Sequence, residues 1–263
     1  MSLSNSLRSA LEADEVAFGA QTVTHQPSIV EVYGDLGLDF VWIDFEHIGP
    51  TPYGGPFFED LTRAADVSGT ELLVRLPNGD PDLVRKVLDS GVRTLLIPRV
   101  ETAEEVRRSV NAARFSHDGT IGDRGIAASR ASNWGAELDG DYVRTEDRQT
   151  SVGVMIENET AVENLDGILQ VPELGFVMIG PADLSVSLGH PLEPDHPEVE
   201  SVINEIKRAC RTHDVPIGMI TSDAEKTKEA VADGVQLVRI SGGEIGAVRS
   251  EITEQLDQLD GLR

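Results

Sequence analysis

Eight times along 263 residues, a short apolar and largely β-branched run gives way to a longer amphipathic stretch, and this alternation constrains the fold more than any other feature. The runs are Val16–Thr22, Phe40–Asp44, Glu71–Leu76, Thr94–Pro98, Val152–Glu157, Gly175–Ile179, Pro216–Ile220 and Gln236–Ile240. Most are hydrophobic nearly throughout, as expected of parallel strands covered on both faces. Between them, Asp80–Asp89, Ala103–Ala113, Glu159–Leu169, Pro197–Thr212 and Asp223–Ala232 carry apolar residues at helical spacing. Several open on a capping Asp, Thr or Pro and close near glycine, as in Ser90-Gly91 and Asp233-Gly234. Eight such units predict an α/β fold, a single (β/α)8 TIM barrel domain spanning residues 1–263. A doubly wound sheet is the alternative, but no G-x-G-x-x-G follows the first strand. The rhythm breaks once, at Phe115–Thr150, polar and glycine-rich. In a barrel this segment is expected to be an active-site loop or lid.

Composition narrows the setting. The single cysteine, Cys210, cannot form an internal disulfide, which fits a reducing, cytoplasmic location. The N-terminal stretch lacks the basic patch and apolar core of a signal peptide, and no run approaches the ~20 apolar residues of a membrane span. A formal charge of −24 excludes a nucleic-acid binder, because phosphates would be repelled. The acids are spread along the chain, and only Lys86, Lys207, Lys226 and Lys228 are lysines. That balance predicts a halophilic protein whose self-repulsion is screened by salt.

Ionisable residues gather at the ends of the predicted strands. Asp44, Glu46 and His47 end the second, Arg75 the third and Glu157 the fifth, while Asp183 follows the sixth. Taken singly, each has a plain structural use: a helix cap, a turn, a buried ion pair. Together they address the C-terminal rim, where barrels of this kind carry their active sites. Two carboxylates on separate strands, without a Cys or His cluster, suit a hard divalent cation such as Mg²⁺ or Mn²⁺. Arg75 can steady a developing oxyanion and His47 can move a proton near neutral pH. Together these parts suit enolate chemistry.

The chain resembles the HpcH/HpaI aldolase family, whose members cleave 2-keto-4-hydroxy acids to pyruvate and an aldehyde. The resemblance rests on Asp44-x-Glu-His47, Val74-Arg75, Leu88-Asp-x-Gly91, Arg124-Gly125, Ile156-Glu157, Ile179-Gly-Pro-Ala-Asp-Leu-Ser-x-Ser-Leu-Gly189 and His196-Pro-Glu-Val199. It implies a class II aldolase using Mg²⁺, Mn²⁺ or Co²⁺, with Glu157 and Asp183 as metal ligands. It also implies that Arg75 polarises the pyruvyl keto group and that His47 acts as acid–base residue in a dyad with Asp89. Backbone amides of Gly180, Pro181 and Ala182 would hold the pyruvate carboxylate, and Asp44 and Glu46 would orient His47 and water held by the ion. A hexamer built of dimers that exchange C-terminal helices is the implied assembly, and the polar tail Glu251–Arg263 is compatible with it.

Departures from the family pattern bear on the substrate. Met155 stands where the family has Gln, and, two residues before Glu157, it is expected to face inward beside it. The Gly- and Pro-rich loop after His47 is long, Ser116–Gly122 replaces a proline-rich turn, and strand eight ends in Ile-Ser-Gly-Gly-Glu244. A Schiff-base aldolase needs a lysine at a strand end, yet all four lysines fall in predicted helices. A phosphate-substrate isomerase or epimerase stays open as an alternative, since Ser241-Gly242-Gly243 follows strand eight, although these glycines can also start the last helix. An acyl-CoA lyase of the citrate lyase-like group is a further alternative, but no basic patch awaits the CoA phosphates.

Overall fold

The computed structural model describes residues 5–53 and 57–259; parts of the loop after His47 (54–56) and of the C-terminal tail (260–263) lie outside the described residues. Eight parallel strands close into one barrel: β1 (Ala17–Thr22), β2 (Phe40–Asp44), β3 (Glu71–Arg75), β4 (Thr94–Ile97), β5 (Ser151–Ile156), β6 (Phe176–Ile179), β7 (Ile217–Ile220) and β8 (Leu237–Arg239). Each pairs with the next and β8 closes on β1, with Ala17 opposite Leu237. The helices are α1 (Ser6–Glu12), α2 (Pro27–Asp35), α3 (Phe57–Ser68), α4 (Pro81–Asp89), α5 (Ala103–Ala113), α6 (Tyr142–Gln149), α7 (Glu159–Glu163), α8 (Leu165–Leu169), α9 (Pro181–Ser187), α10 (Pro197–Thr212), α11 (Ala224–Ala232) and α12 (Glu244–Gln258).

The apolar strands divide their residues between two cores, as strand alternation requires. One set packs outward against the helices: Val41, Ile43, Val74, Leu95, Val154 and Val177 belong to this shell. The other fills the barrel with Phe40, Trp42, Leu73, Leu96, Met155, Phe176, Met178 and Leu237. Helix α1 closes the end of the barrel where the strands begin, placing Leu7 and Leu11 in the inner core. Asn5 caps that helix, and its amide nitrogen donates to Thr94 Oγ1 and Gln149 O at 2.9 and 2.8 Å.

Two expectations are corrected. The stretch Glu159–Leu169 is two short helices, broken at Asn164, whose amide donates to Glu101 O at 2.9 Å. The 115–150 segment is not placed as a lid over the C-terminal rim of its own barrel. It follows α5 and precedes β5, so it lies on the opposite face, where strands begin. It is also pinned: buried Arg124 donates to Glu146 Oε2 at 2.8 Å and Thr150 Oγ1 at 3.1 Å, and Asp147 accepts the Phe115 and Ser116 N–H groups at 2.8 and 3.0 Å. Arg130 in the same segment pairs with Asp66 near the end of α3.

Helix α12 buries none of its described residues. Ile245, Val248, Ile252, Leu256 and Leu259 form an exposed apolar stripe along it at helical spacing. No described helix is long and apolar enough to cross a membrane.

Candidate active site

Strand β2 delivers Asp44 in register with Arg75 of β3, and the two form a two-pronged pair. Arg75 Nε donates to Asp44 Oδ1 at 2.9 Å and Nη2 to Oδ2 at 2.7 Å. Both are buried, so the alignment matters: a buried ion pair is tolerated only when its geometry and hydrogen bonds are good. Asp44 Oδ1 also accepts the Glu46 N–H at 3.0 Å, which turns the chain and sends the Glu46 carboxylate back to Arg75 Nη1 at 2.8 Å. Burial works against the guanidinium charge, yet the Asp44 hydrogen bonds and the Asp44, Glu46 and Glu157 charges hold the Arg75 pKa above its ordinary value. Arg75 is thereby fixed at the top of the barrel, its Cζ 5.4 Å from the centre of the Trp42 ring.

Glu157 directly follows β5 and is buried; its Oε1 accepts the Arg99 N–H at 2.7 Å. Burial, opposed by that hydrogen bond and reinforced by the Glu46 and Asp183 charges, pushes its carboxyl up to about 7. Glu46 is raised too, first by burial and, against the pull of Arg75 and His47, by Asp44 and Asp183. Asp183 stands exposed in the first turn of α9. Three acids thus converge at one end of the barrel, with Arg75 already committed to Asp44. This is a surplus of negative charge made of oxygen donors alone, and a hard divalent cation fits it. Gly180 keeps the space beside Glu157 open: a Cβ there would lie 3.0 Å from Glu157 Oε2 and 3.1 Å from Met155 Cε.

The remaining expected residues fall as follows. His47 is largely exposed at the rim, its Nε2 3.4 Å from Glu46 Oε2. Met155 faces inward, with Sδ 3.6 Å from Arg75 Nη1. Of the three expected carboxylate-binding residues, Gly180 has its N–H committed to Ile156 O at 3.2 Å and Pro181 has none, which leaves the Ala182 N–H in the first turn of α9. Asp89 is not brought to His47. It ends α4, on the face where strands begin, and its nearest polar partner is Ser129 Oγ at 3.5 Å. The two halves of the expected dyad occupy opposite ends of one barrel.

Three further residues escaped sequence reasoning. His25, after β1, is fully buried against Phe45 and Phe57 with neither ring nitrogen hydrogen-bonded, and burial lowers its pKa against the opposing charges of Asp44 and Glu244. Arg239 ends β8 with its Cζ 5.8 Å from the Trp42 ring centre; an arginine inside an apolar strand run is a signal that could have found it, as it found Arg75. Glu244 opens α12 and accepts the Val23 and Thr24 N–H groups at 2.9 and 2.6 Å and the Thr22 hydroxyl at 3.0 Å. The corner after β8, where a phosphate was conceivable, is filled by the chain's own carboxylate. Among the described residues, the one group of three or more His, Cys, Asp or Glu whose ligand atoms lie within 4.8 Å of one another is elsewhere: His190, Glu193 and His196, between α9 and α10.

The sequence profile described as HpcH/HpaI aldolase/citrate lyase matches residues 22–243. The chain is similar to the hydroxypyruvate/pyruvate aldolase of Roseobacter denitrificans, at 32% identity over 90% of each chain. It is similar to the 2-keto-3-deoxy-L-rhamnonate aldolase of Klebsiella pneumoniae subsp. pneumoniae, at 33% identity over 90% of this chain and 87% of that one. Among solved structures, an HpcH/HpaI aldolase/citrate lyase family protein of Burkholderia cenocepacia J2315 superposes with a TM-score of 0.88 and 28% identity, covering 97% of this chain and 99% of that one.

Proposed function

The chain belongs to the HpcH/HpaI aldolase/citrate lyase family, and from that premise we propose that it is an aldolase that reversibly cleaves a 2-keto-4-hydroxy acid to pyruvate and an aldehyde. The observation that carries the reading is the convergence of Glu46, Glu157 and Asp183 around a guanidinium locked by Asp44. Glu157 and Asp183 would hold the divalent cation, which supplies Lewis-acid polarisation of the keto acid when bound. The protein's own groups account for the rest. Arg75, held rigidly, presents its remaining Nη2 N–H to the keto oxygen as the C3–C4 bond breaks and its electrons move towards C2. His47, with its Nε2 3.4 Å from Glu46 Oε2, takes the proton of the 4-hydroxyl, which becomes the aldehyde oxygen. The open first turn of α9 offers the Ala182 N–H to the keto-acid carboxylate, and Met155 shapes the donor end of the site.

A dyad of His47 with Asp89 requires two copies of the chain, because one chain holds them at opposite ends. A homo-oligomer is therefore part of the proposal, and the uncovered apolar stripe of α12 supports it. The reading is tested by assaying pyruvate release from a panel of 2-keto-4-hydroxy acids. Cleavage of at least one to pyruvate and an aldehyde is expected; isomerised product without fragments from any of them would overturn it.

A further inference from the structure

Arg239, whose side chain enters the barrel interior from the end of β8, is a strong cation at the mouth that the proposed chemistry does not use. Inside a protein a guanidinium is ordinarily paired. Here Nε is buried without a partner, and the Arg239 side chain makes no hydrogen bond or ion pair with any described residue. Its neighbourhood offers no acceptor. Both carboxylate oxygens of Asp44, the nearest acid in its field, are taken by Arg75. Trp42, which both arginines flank, carries a second buried N–H without a partner. Burial and the repulsion of Arg75 both press against the Arg239 charge. Two orphan donors and an uncompensated cation, side by side, call for an anion.

The position says which anion. The keto acid's own end is accounted for by Arg75 on β3, Glu157 after β5 and the start of α9 after β6. Arg239 ends β8, flanked in register by Gly19 of β1 and Ile220 of β7. A substrate anchored at β3, β5 and β6 crosses the mouth towards that wall with its aldehyde-derived half. We propose that Arg239 binds a second anionic group, a carboxylate or a phosphate, on the aldehyde half of the substrate. A planar guanidinium grips either with two parallel hydrogen bonds. On a chain of net charge −24, such a local cation gives an anionic substrate a place to dock against the general repulsion.

The proposal rests on the aldolase reading, and the test separates the two. Calorimetric binding of 2-oxoglutarate and 2-oxopentanoate, equal in length and differing in the terminal carboxylate, is compared in the wild type, Arg239→Met and Arg239→Lys. Condensation of pyruvate is then measured with succinic semialdehyde against butanal, and with glyceraldehyde 3-phosphate against glyceraldehyde. The wild type should favour the anionic member of at least one pair by about 10²-fold. Arg239→Met should erase that preference while leaving the neutral member within about threefold, and Arg239→Lys should recover part of it. The pair that responds identifies carboxylate or phosphate. Equal handling of every pair by the wild type, or a preference that survives in a folded Arg239→Met enzyme, would overturn the proposal and leave Arg239 as packing for Trp42. Failure of either keto acid to bind, with no condensation of any aldehyde, would instead remove the aldolase reading and the proposal with it.

Discussion

His47 and Asp89 stand at opposite ends of the barrel, so the proposed dyad between them has to be built from two copies of the chain. His47→Ala and Asp89→Ala should each lose about 10²–10⁴-fold in cleavage. Mixed and re-assembled, the two inactive variants should regain activity approaching about a quarter of wild type, because random assortment rebuilds that share of sites. No recovery after verified subunit exchange would dissolve the dyad. Glu71 gives a second residue-scale prediction. Burial, opposed by the Ser6 N–H bond and by Arg93, raises its carboxyl to about 7 from an ordinary 4.5. The folded state then binds the proton more tightly than the unfolded chain, so this contribution is present below about pH 4.5 and is lost as pH rises through 7. Glu71→Gln should accordingly gain about 1–3 kcal/mol relative to wild type between pH 5 and pH 8, read by urea denaturation. A difference constant with pH would contradict the assignment. The site was legible in sequence wherever chemistry and strand end coincided, as at Asp44, Arg75 and Glu157. It was not legible where the partner came from elsewhere in space: the commitment of the Gly180 N–H to Ile156, or the filling of the β1 loop by Glu244, leaves no local signal.

Among the elements, all eight strands could be read from apolar runs because parallel barrel strands are buried on both faces and show it at every residue. Helix α1 was missed because its apolar content, Leu7 and Leu11, faces into the barrel from an otherwise polar heptad. Its role is testable: Leu7 is fully buried, so Leu7→Ala should cost about 2–5 kcal/mol in chemical denaturation. A change below about 0.5 kcal/mol would mean that α1 merely rests on the barrel. The 115–150 segment was assigned to the wrong face for a different reason. Its polarity marks a connection, but the face is set by what precedes it: a segment that follows a helix returns to the start of a strand, and α5 had already crossed the barrel's height.

For the whole molecule, the charge of −24 sets the conditions under which the fold is stable. Ions at molar KCl shorten the screening length to about 3 Å and remove most of the self-repulsion. Melting temperature and activity should therefore rise as KCl increases towards molar levels; flat or falling curves would set aside a halophilic adaptation. The same field makes the site's divalent cation a matter of charge as well as chemistry, because Glu46, Glu157 and Asp183 converge on one rim. Whether that cation drives the cleavage is the central claim. The most direct measurement is retro-aldol activity in the presence of a chelator and, separately, after borohydride treatment with pyruvate. The chelated enzyme should be inactive and recover on adding Mg²⁺, Mn²⁺ or Co²⁺, and borohydride should leave it active. Full activity in excess chelator, or covalent trapping of pyruvate on a lysine, would contradict the account.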